Sequence, residues 1–326
     1  MKLFKKAAAL ILGLCAAFTC MFAASCSYTD DDRSTIVCTI FPQYDWVIQI
    51  LGGEADNFNL VLLTESGVDM HNYQVTTEDL VTIKYAELFI YVGGESDEWV
   101  EDAIATTKTE AVTIALLDEV DAVEEEYKEG MEAEKEDGNE EETEYDEHVW
   151  LSLRNAQTLV NAIAEEICGV DPENAATYRS NAAAYIAELA ALDGEYTATV
   201  ESATYDTLLF ADRFPFKYLV DDYNLDYYAA FKGCSAQETA SASTISYLAN
   251  KIIELGLKHI MVIETSDQSI ANTVKNTVAN LGGDTSDMDI LVLNSCQSVT
   301  ASAIKAGTTY LGIMKENLEV LKAALN

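Results

Sequence analysis

Only three histidines occur in the 326-residue chain, His71, His148 and His259, so each can be judged by its own surroundings. His71 lies in TESGVDMHNYQV, a polar, glycine-containing loop between the strand-like FNLVLLT and the helical TTEDLVTIKYA. His148 lies in DEHVWLSL, where a long acidic run gives way to apolar sequence. His259 opens the strand-like HIMVIE and reads as structural. Carboxylates at the carboxyl ends of strand-like segments add Glu264, which closes HIMVIE, and Asp212, which follows DTLLFA; Asp267 comes three residues after Glu264. Two imidazoles with carboxylates suit a borderline divalent cation: imidazole favours zinc, and added carboxylate shifts the preference toward harder ions such as manganese. The plainer alternative for both His71 and His148 is an exposed loop histidine. No GxSxG elbow, no GxGxxG after the first strand and no Walker loop occurs, so nothing at motif level points to an enzyme. A metallo-hydrolase would also need an open coordination position, a base and a substrate pocket, and of these the sequence offers only the carboxylates.

Strand and helix patterns alternate around these residues. TIVCTI, FNLVLLT, ELFIYVGG and AVTIAL read as strands, with helices in PQYDWVIQILGG, TTEDLVTIKYA and SDEWVEDAIA between them. Thr76 and Asp79 have the spacing of a capping box at the start of the second helix. After residue 203 the alternation resumes with DTLLFA, LDYYAAF, HIMVIE and DILVLN. Such alternation indicates parallel sheets covered on both faces, whose ligands bind beyond the carboxyl ends of the strands. Between the two halves, Asp171 and Pro172 suit the N-cap and first position of an Ala-rich, amphipathic helix about thirty residues long. The predicted architecture is α/β, with two lobes joined by one long rigid helix and a site in the cleft between them. Residues 35–152 form the first lobe, 153–202 the connecting helices and 203–326 the second lobe.

From Asp118 to Glu147 there are 17 acidic residues against Lys128 and Lys135, which predicts a mobile loop unable to bury a core of its own. The whole chain carries a formal charge of -37, from 19 basic and 56 acidic side chains, which excludes a nucleic-acid reader and concentrates cations. Its 49% hydrophobic content predicts a sizeable buried core. Residues 1–25 read as an export signal: a lysine-bearing start, an apolar stretch, then small residues before Cys26. Ala23-Ala24-Ser25-Cys26 has the form of a lipobox, so Cys26 is the expected lipidation site and 26–34 an acidic tether on the outer face of the cytoplasmic membrane. Cys38, Cys168, Cys234 and Cys296 have no CxxC spacing and read as small buried hydrophobes.

On these residues the chain resembles the metal-binding solute-binding lipoproteins of zinc and manganese ABC importers. GVDMHNYQVTTEDL resembles that family's Gly–Val–Asp–Pro–His loop, and DEHVWLSLRNA its Asp–Pro–His–Val–Trp–Leu motif. DPENAATYRSNAAAYIAELAALD and AGTTYLGIMKENLEVLKAAL resemble its spine and C-terminal helices. The resemblance implies a monomeric receptor that binds one Zn2+, with Mn2+ the alternative, and delivers it to a membrane permease without covalent chemistry. It places His71 and His148 at the first two ligand positions. The third falls on Arg213, which has no lone pair to donate, and the fourth on or next to Asn294. Glu264 is the first candidate to replace the missing ligands, and Asp212, oriented by Arg213, the second; Asp267 would border the cleft. Water could complete the coordination instead, or Arg213 could hold an anion, making the solute a metal chelate. A surface adhesin with a structural metal is the alternative function.

Overall fold

In the computed structural model, residues 33–132, 144–235 and 239–326 are described. The export signal, Cys26 and the tether up to residue 32 lie outside them, as does the middle of the acidic run.

The first lobe runs β1 (Ser34–Cys38), α1 (Phe41–Leu51), β2 (Phe58–Leu62), α2 (Thr77–Lys84), β3 (Leu88–Tyr91), α3 (Trp99–Thr107) and β4 (Val112–Ala115). Two helices follow, α4 (Leu153–Val170) and α5 (Ala175–Glu201). The second lobe comprises β5 (Thr207–Phe214), α6 (Lys217–Tyr223), β6 (Asp226–Lys232), α7 (Ala242–Leu255), β7 (His259–Val262), α8 (Ser269–Asn280) and β8 (Asp289–Val292). A short α9 (Ala301–Lys305), which the sequence pattern does not announce, precedes α10 (Tyr310–Ala324).

Each lobe holds a four-stranded parallel sheet, ordered β2-β1-β3-β4 and β6-β5-β7-β8. In β1, Ile36 and Cys38 enter one apolar cluster while Val37 enters another on the opposite face, the period-2 burial of a strand covered on both sides. The predicted capping box forms as read: Thr76 Oγ1 accepts from the Asp79 amide at 3.2 Å, and Asp79 Oδ2 accepts from the Thr76 amide at 2.8 Å. At α5 the start differs, because the helix opens at Ala175 after Asn174. Asp171 instead accepts from Tyr178 Oη at 2.6 Å and Asn174 Nδ2 at 2.9 Å, so it ties the linker to the first turn through side chains.

The 27-residue α5 packs against α1, α4 and α10. Its buried Tyr196 donates to the Met314 carbonyl in α10 at 2.6 Å. One apolar cluster runs unbroken from Ile36 in the first sheet to Leu208 and Phe210 in the second. Both lobes therefore share a core.

The acidic run is not one free loop. Val123 and Glu125 pair with Asp146 and Glu144 across a short antiparallel bridge, and Met131 is buried. Second-lobe lysines make this arrangement tolerable: Lys232 Nζ lies 3.4 Å from Glu125 and 3.3 Å from Glu144. Lys128 in turn reaches back to Asp226 at 2.5 Å. The described arms, 118–132 and 144–147, thus dock on the second lobe, because opposite charges there offset their mutual repulsion.

Asp45 in α1 is 4% exposed and accepts from the Tyr310 amide at 3.0 Å, linking α10 back to the first lobe. Burial pushes its carboxyl up from 3.8 to about 6, outweighing the stabilising donations from Tyr310 and Gln49. The folded chain then keeps this proton to higher pH than the unfolded chain does, so ionisation opposes folding. Stability of the wild type is expected to fall relative to Asp45→Asn as pH rises from about 4 to about 6, and to level off above that. Thermal melts of both proteins in half-unit pH steps check this; a pH-independent difference would overturn it.

Candidate metal centre

Asp69 initiates the short 3-10 turn Met70–Asn72, its Oδ1 accepting from the His71 amide at 3.1 Å. The turn directs the His71 ring across the cleft. His148 ends the acidic arm, where Asp146 Oδ1 accepts from its amide at 2.9 Å and lies 3.1 Å from its Nδ1. Tyr218 of α6 donates to the Asp146 carbonyl at 2.8 Å, fixing that hinge to the second lobe. The two rings meet with Nε2 only 3.2 Å from Nε2.

The outer nitrogens explain which electron pairs face inward. His71 Nδ1 lies 2.7 Å from Ser96 Oγ and 3.6 Å from Glu147 Oε2, a buried oxygen with no hydrogen-bond partner. Glu147 Oε1 accepts from the Ser96 amide at 2.7 Å, and Gly94 makes the approach possible: a Cβ there would stand 2.5 Å from that oxygen. Carboxylates or hydroxyls behind Nδ1 hold both imidazoles with Nε2 toward the cleft, the usual arrangement behind metal-ligating histidines. Two zinc–nitrogen bonds of about 2.0 Å at a tetrahedral angle separate the nitrogens by roughly 3.3 Å, close to the spacing found. Burial, the neighbouring His148 and Arg213 lower the His71 pKa to about 3, so this ring is neutral and able to donate. Burial opposes protonation of His148 too, but Asp146, Glu147 and Asp69 outweigh it and raise its pKa.

A third candidate donor stands on the second lobe. Among the described residues, the His, Cys, Asp and Glu side chains whose donor atoms all lie within 4.8 Å of one another are His71, His148 and Cys234. Cys234 follows β6, its amide donating to Glu125 Oε1 at 2.9 Å. Gly233 lets the strand end lie flat against the imidazole, since a Cβ there would be 3.2 Å from His148 Cε1 and 3.0 Å from the Phe214 carbonyl.

Residues 36–324 match the family model described as "Zinc-uptake complex component A periplasmic". The chain belongs to this zinc-uptake family. It is 31% identical over 320 residues to the zinc-binding lipoprotein AdcA of Streptococcus pneumoniae serotype 4, covering 98% of this chain and 60% of that protein. It is 29% identical to the high-affinity zinc uptake system protein ZnuA of Bacillus subtilis, over 90% of this chain and 88% of that one. Among solved structures, the Zn(II)-bound ZnuA-like domain of pneumococcal AdcA superposes with a TM-score of 0.70 at 28% identity, covering 90% of this chain and 99% of that domain. The metal-dependent lipoprotein YcdH of B. subtilis gives 0.72 at 27%, with 90% and 99% coverage. The chain spans less than two thirds of the streptococcal relatives, and the part it matches is the ZnuA-like domain.

In this chain the carboxylates expected to complete the site stand elsewhere. Glu264 is not with the histidines: its oxygens accept from the Ser295 amide at 2.8 Å and the Ser295 hydroxyl at 2.7 Å, joining the ends of β7 and β8. Asp212 is outside the cluster as well, in a β5 bulge, where its Oδ1 accepts from the Arg213 amide at 2.8 Å and its Oδ2 from the Ile263 amide at 3.4 Å. Asn294 Oδ1 accepts from the Cys296 amide at 2.8 Å and its backbone is held by Asn317, a structural arrangement. Asp267 Oδ1 accepts from the Ser269 amide at 2.7 Å at the start of α8. Arg213 crosses the cleft to Asp69 Oδ2 at 2.7 Å. Asp69, Arg213, Asp212 and Asp267 line a cavity of about 450 Å³ whose lining includes neither His71 nor His148. Asp69, Asp146, Glu147 and Cys234 escaped the sequence reading, although Cys234 stands at the carboxyl end of a parallel strand, where ligands bind.

Proposed function

We propose that this chain is an extracytoplasmic receptor that captures one Zn2+ between His71 and His148 and delivers it to the permease of an ABC importer. The observation that carries this reading is the pair of Nε2 atoms facing each other 3.2 Å apart, each ring backed by a carboxylate behind Nδ1. The similarity to zinc-binding AdcA and ZnuA supports zinc as the cargo, with Mn2+ the second choice. No covalent chemistry is assigned to the cleft. Among the described residues no helix is long and apolar enough to cross a membrane, and the lipobox-like Ala23–Cys26 supports attachment by lipid on Cys26. The acidic run would raise the concentration of cations at the cleft mouth. The receptor acts as a monomer in this reading. The core shared by both lobes favours small adjustments of the cleft walls over wide hinge opening.

Calorimetric titration with Zn2+, followed by extraction with a chelator, separates a receptor from a protein with a structural metal. One zinc per chain is expected, and its removal is expected to leave the circular dichroism spectrum and cooperative melt intact. Unfolding on extraction, or no zinc uptake, would overturn the proposal.

A further inference from the structure

The geometry points to Cys234 as the third protein ligand, so that the cation is held by two imidazole nitrogens and one thiolate, and to a cleft that selects thiophilic cations such as Zn2+ and Cd2+ against Mn2+. This deepens the zinc-receptor reading and rests on it. Three observations bear on it. Arg213 of the second lobe is committed to Asp69 at 2.7 Å and has no lone pair to donate. Glu264, the nearest replacement by sequence, is committed to Ser295. Among the described residues, Cys234 alone joins the two histidines in a cluster whose donor atoms all lie within 4.8 Å.

The fit needs only a small adjustment. Zinc bonds of about 2.3 Å to sulfur and 2.0 Å to nitrogen set the S-to-N separation near 3.6 Å in a tetrahedral site, so a turn about the Cys234 side chain closes the remaining gap. The backbone is already placed for it, with Gly233 against the His148 ring and the Cys234 amide on Glu125. Burial and the nearby Glu125, Glu147 and Asp146 carboxylates hold the Cys234 thiol well above its usual pKa, so the sulfur gives up its proton only in exchange for the cation. Binding converts the thiol to a metal-bound thiolate and releases its proton to solvent. Water in the remaining position leaves the cargo exchangeable, as a delivery protein requires. Thiolate and imidazole suit Zn2+ and Cd2+, whereas Mn2+ is better served by carboxylate, carbonyl and water.

The test is titration of the purified, reduced protein with Co2+ and Cd2+ as spectroscopic probes and with Zn2+ for affinity, in wild type, Cys234→Ser and His71→Ala. Wild type is expected to show a sulfur-to-metal charge-transfer band in the ultraviolet that Cys234→Ser lacks. Zinc affinity in Cys234→Ser is expected to fall by more than ~10-fold, the loss that even an outer partner of a ligand produces. Mn2+ in equimolar amount should not displace Zn2+ from wild type. Absence of the band in wild type overturns the inference whether or not the variant folds. Unchanged zinc affinity in Cys234→Ser, with affinity lost in His71→Ala, overturns the thiolate and leaves the zinc receptor standing. Unchanged affinity in both variants overturns the receptor site as well.

Discussion

Zinc affinity in His148→Ala is expected to fall by ~100-fold or more, beyond the 10- to 100-fold that loss of an outer partner costs. His148 is fully buried, its Nδ1 is held 3.1 Å from Asp146, and its Nε2 faces that of His71. No other described side chain is placed to supply a nitrogen there. His71→Ala should give a loss of the same order from a less enclosed position. The double variant should lose little more than either single one, because one ligand left alone no longer chelates. Competition against a zinc-responsive dye measures all three, with metal-free melting temperatures recorded beside them to separate site loss from misfolding. A change of less than about threefold in either single variant would remove that histidine from the site, since such a factor is under 1 kcal/mol.

The residues behind that prediction were the most legible in the sequence, because histidine is scarce and both copies follow recognisable chain breaks. The sheets were legible for a related reason: buried parallel strands read as short β-branched and aromatic runs between helices. The missing ligand was not legible. Sequence spacing places Glu264 and Asp212 at strand ends but cannot say which way their carboxylates turn. Glu264 is satisfied by Ser295, thirty-one positions away, and Asp212 by the amides around its own bulge. Conversely, Cys234 has a composition-level reading as a buried hydrophobe, and only the proximity of β6 to the His148 segment places its sulfur beside the two imidazoles. The acidic run failed in the same way. Its charges read as mutually repelling until the second lobe brings Lys232 beside Glu125 and Glu144 and sets Asp226 against the run's own Lys128.

The largest stability effect is expected at Trp150, two residues beyond His148. Its side chain is fully buried, and its Nε1 donates to the Ser295 carbonyl of the second lobe at 2.8 Å. Its own carbonyl accepts from Tyr310 Oη at 2.5 Å, and its ring stands 5.3 Å from that of His148. Trp150→Ala would remove one of the two fully buried tryptophans of a core common to both lobes and orphan a buried carbonyl. The cost is about 3–5 kcal/mol for the cavity, with roughly 1–3 kcal/mol more for the unpaired acceptor. At roughly 2–4 °C per kcal/mol for chains somewhat shorter than this one, the melting temperature of the metal-free protein should drop by ~10 °C or more. Trp150→Phe keeps most of the packing and loses the donor, so it should cost only about 1–3 kcal/mol. These values follow from a cleft whose two walls are joined directly behind the His71–His148 pair. If the lobes instead separated widely in the metal-free protein, Trp150 would already be partly released there, and Trp150→Ala would lower the melting temperature by less than about 3 °C, roughly 1 kcal/mol. Differential scanning calorimetry of the three proteins, with zinc and without, decides between a rigid receptor and a hinged one.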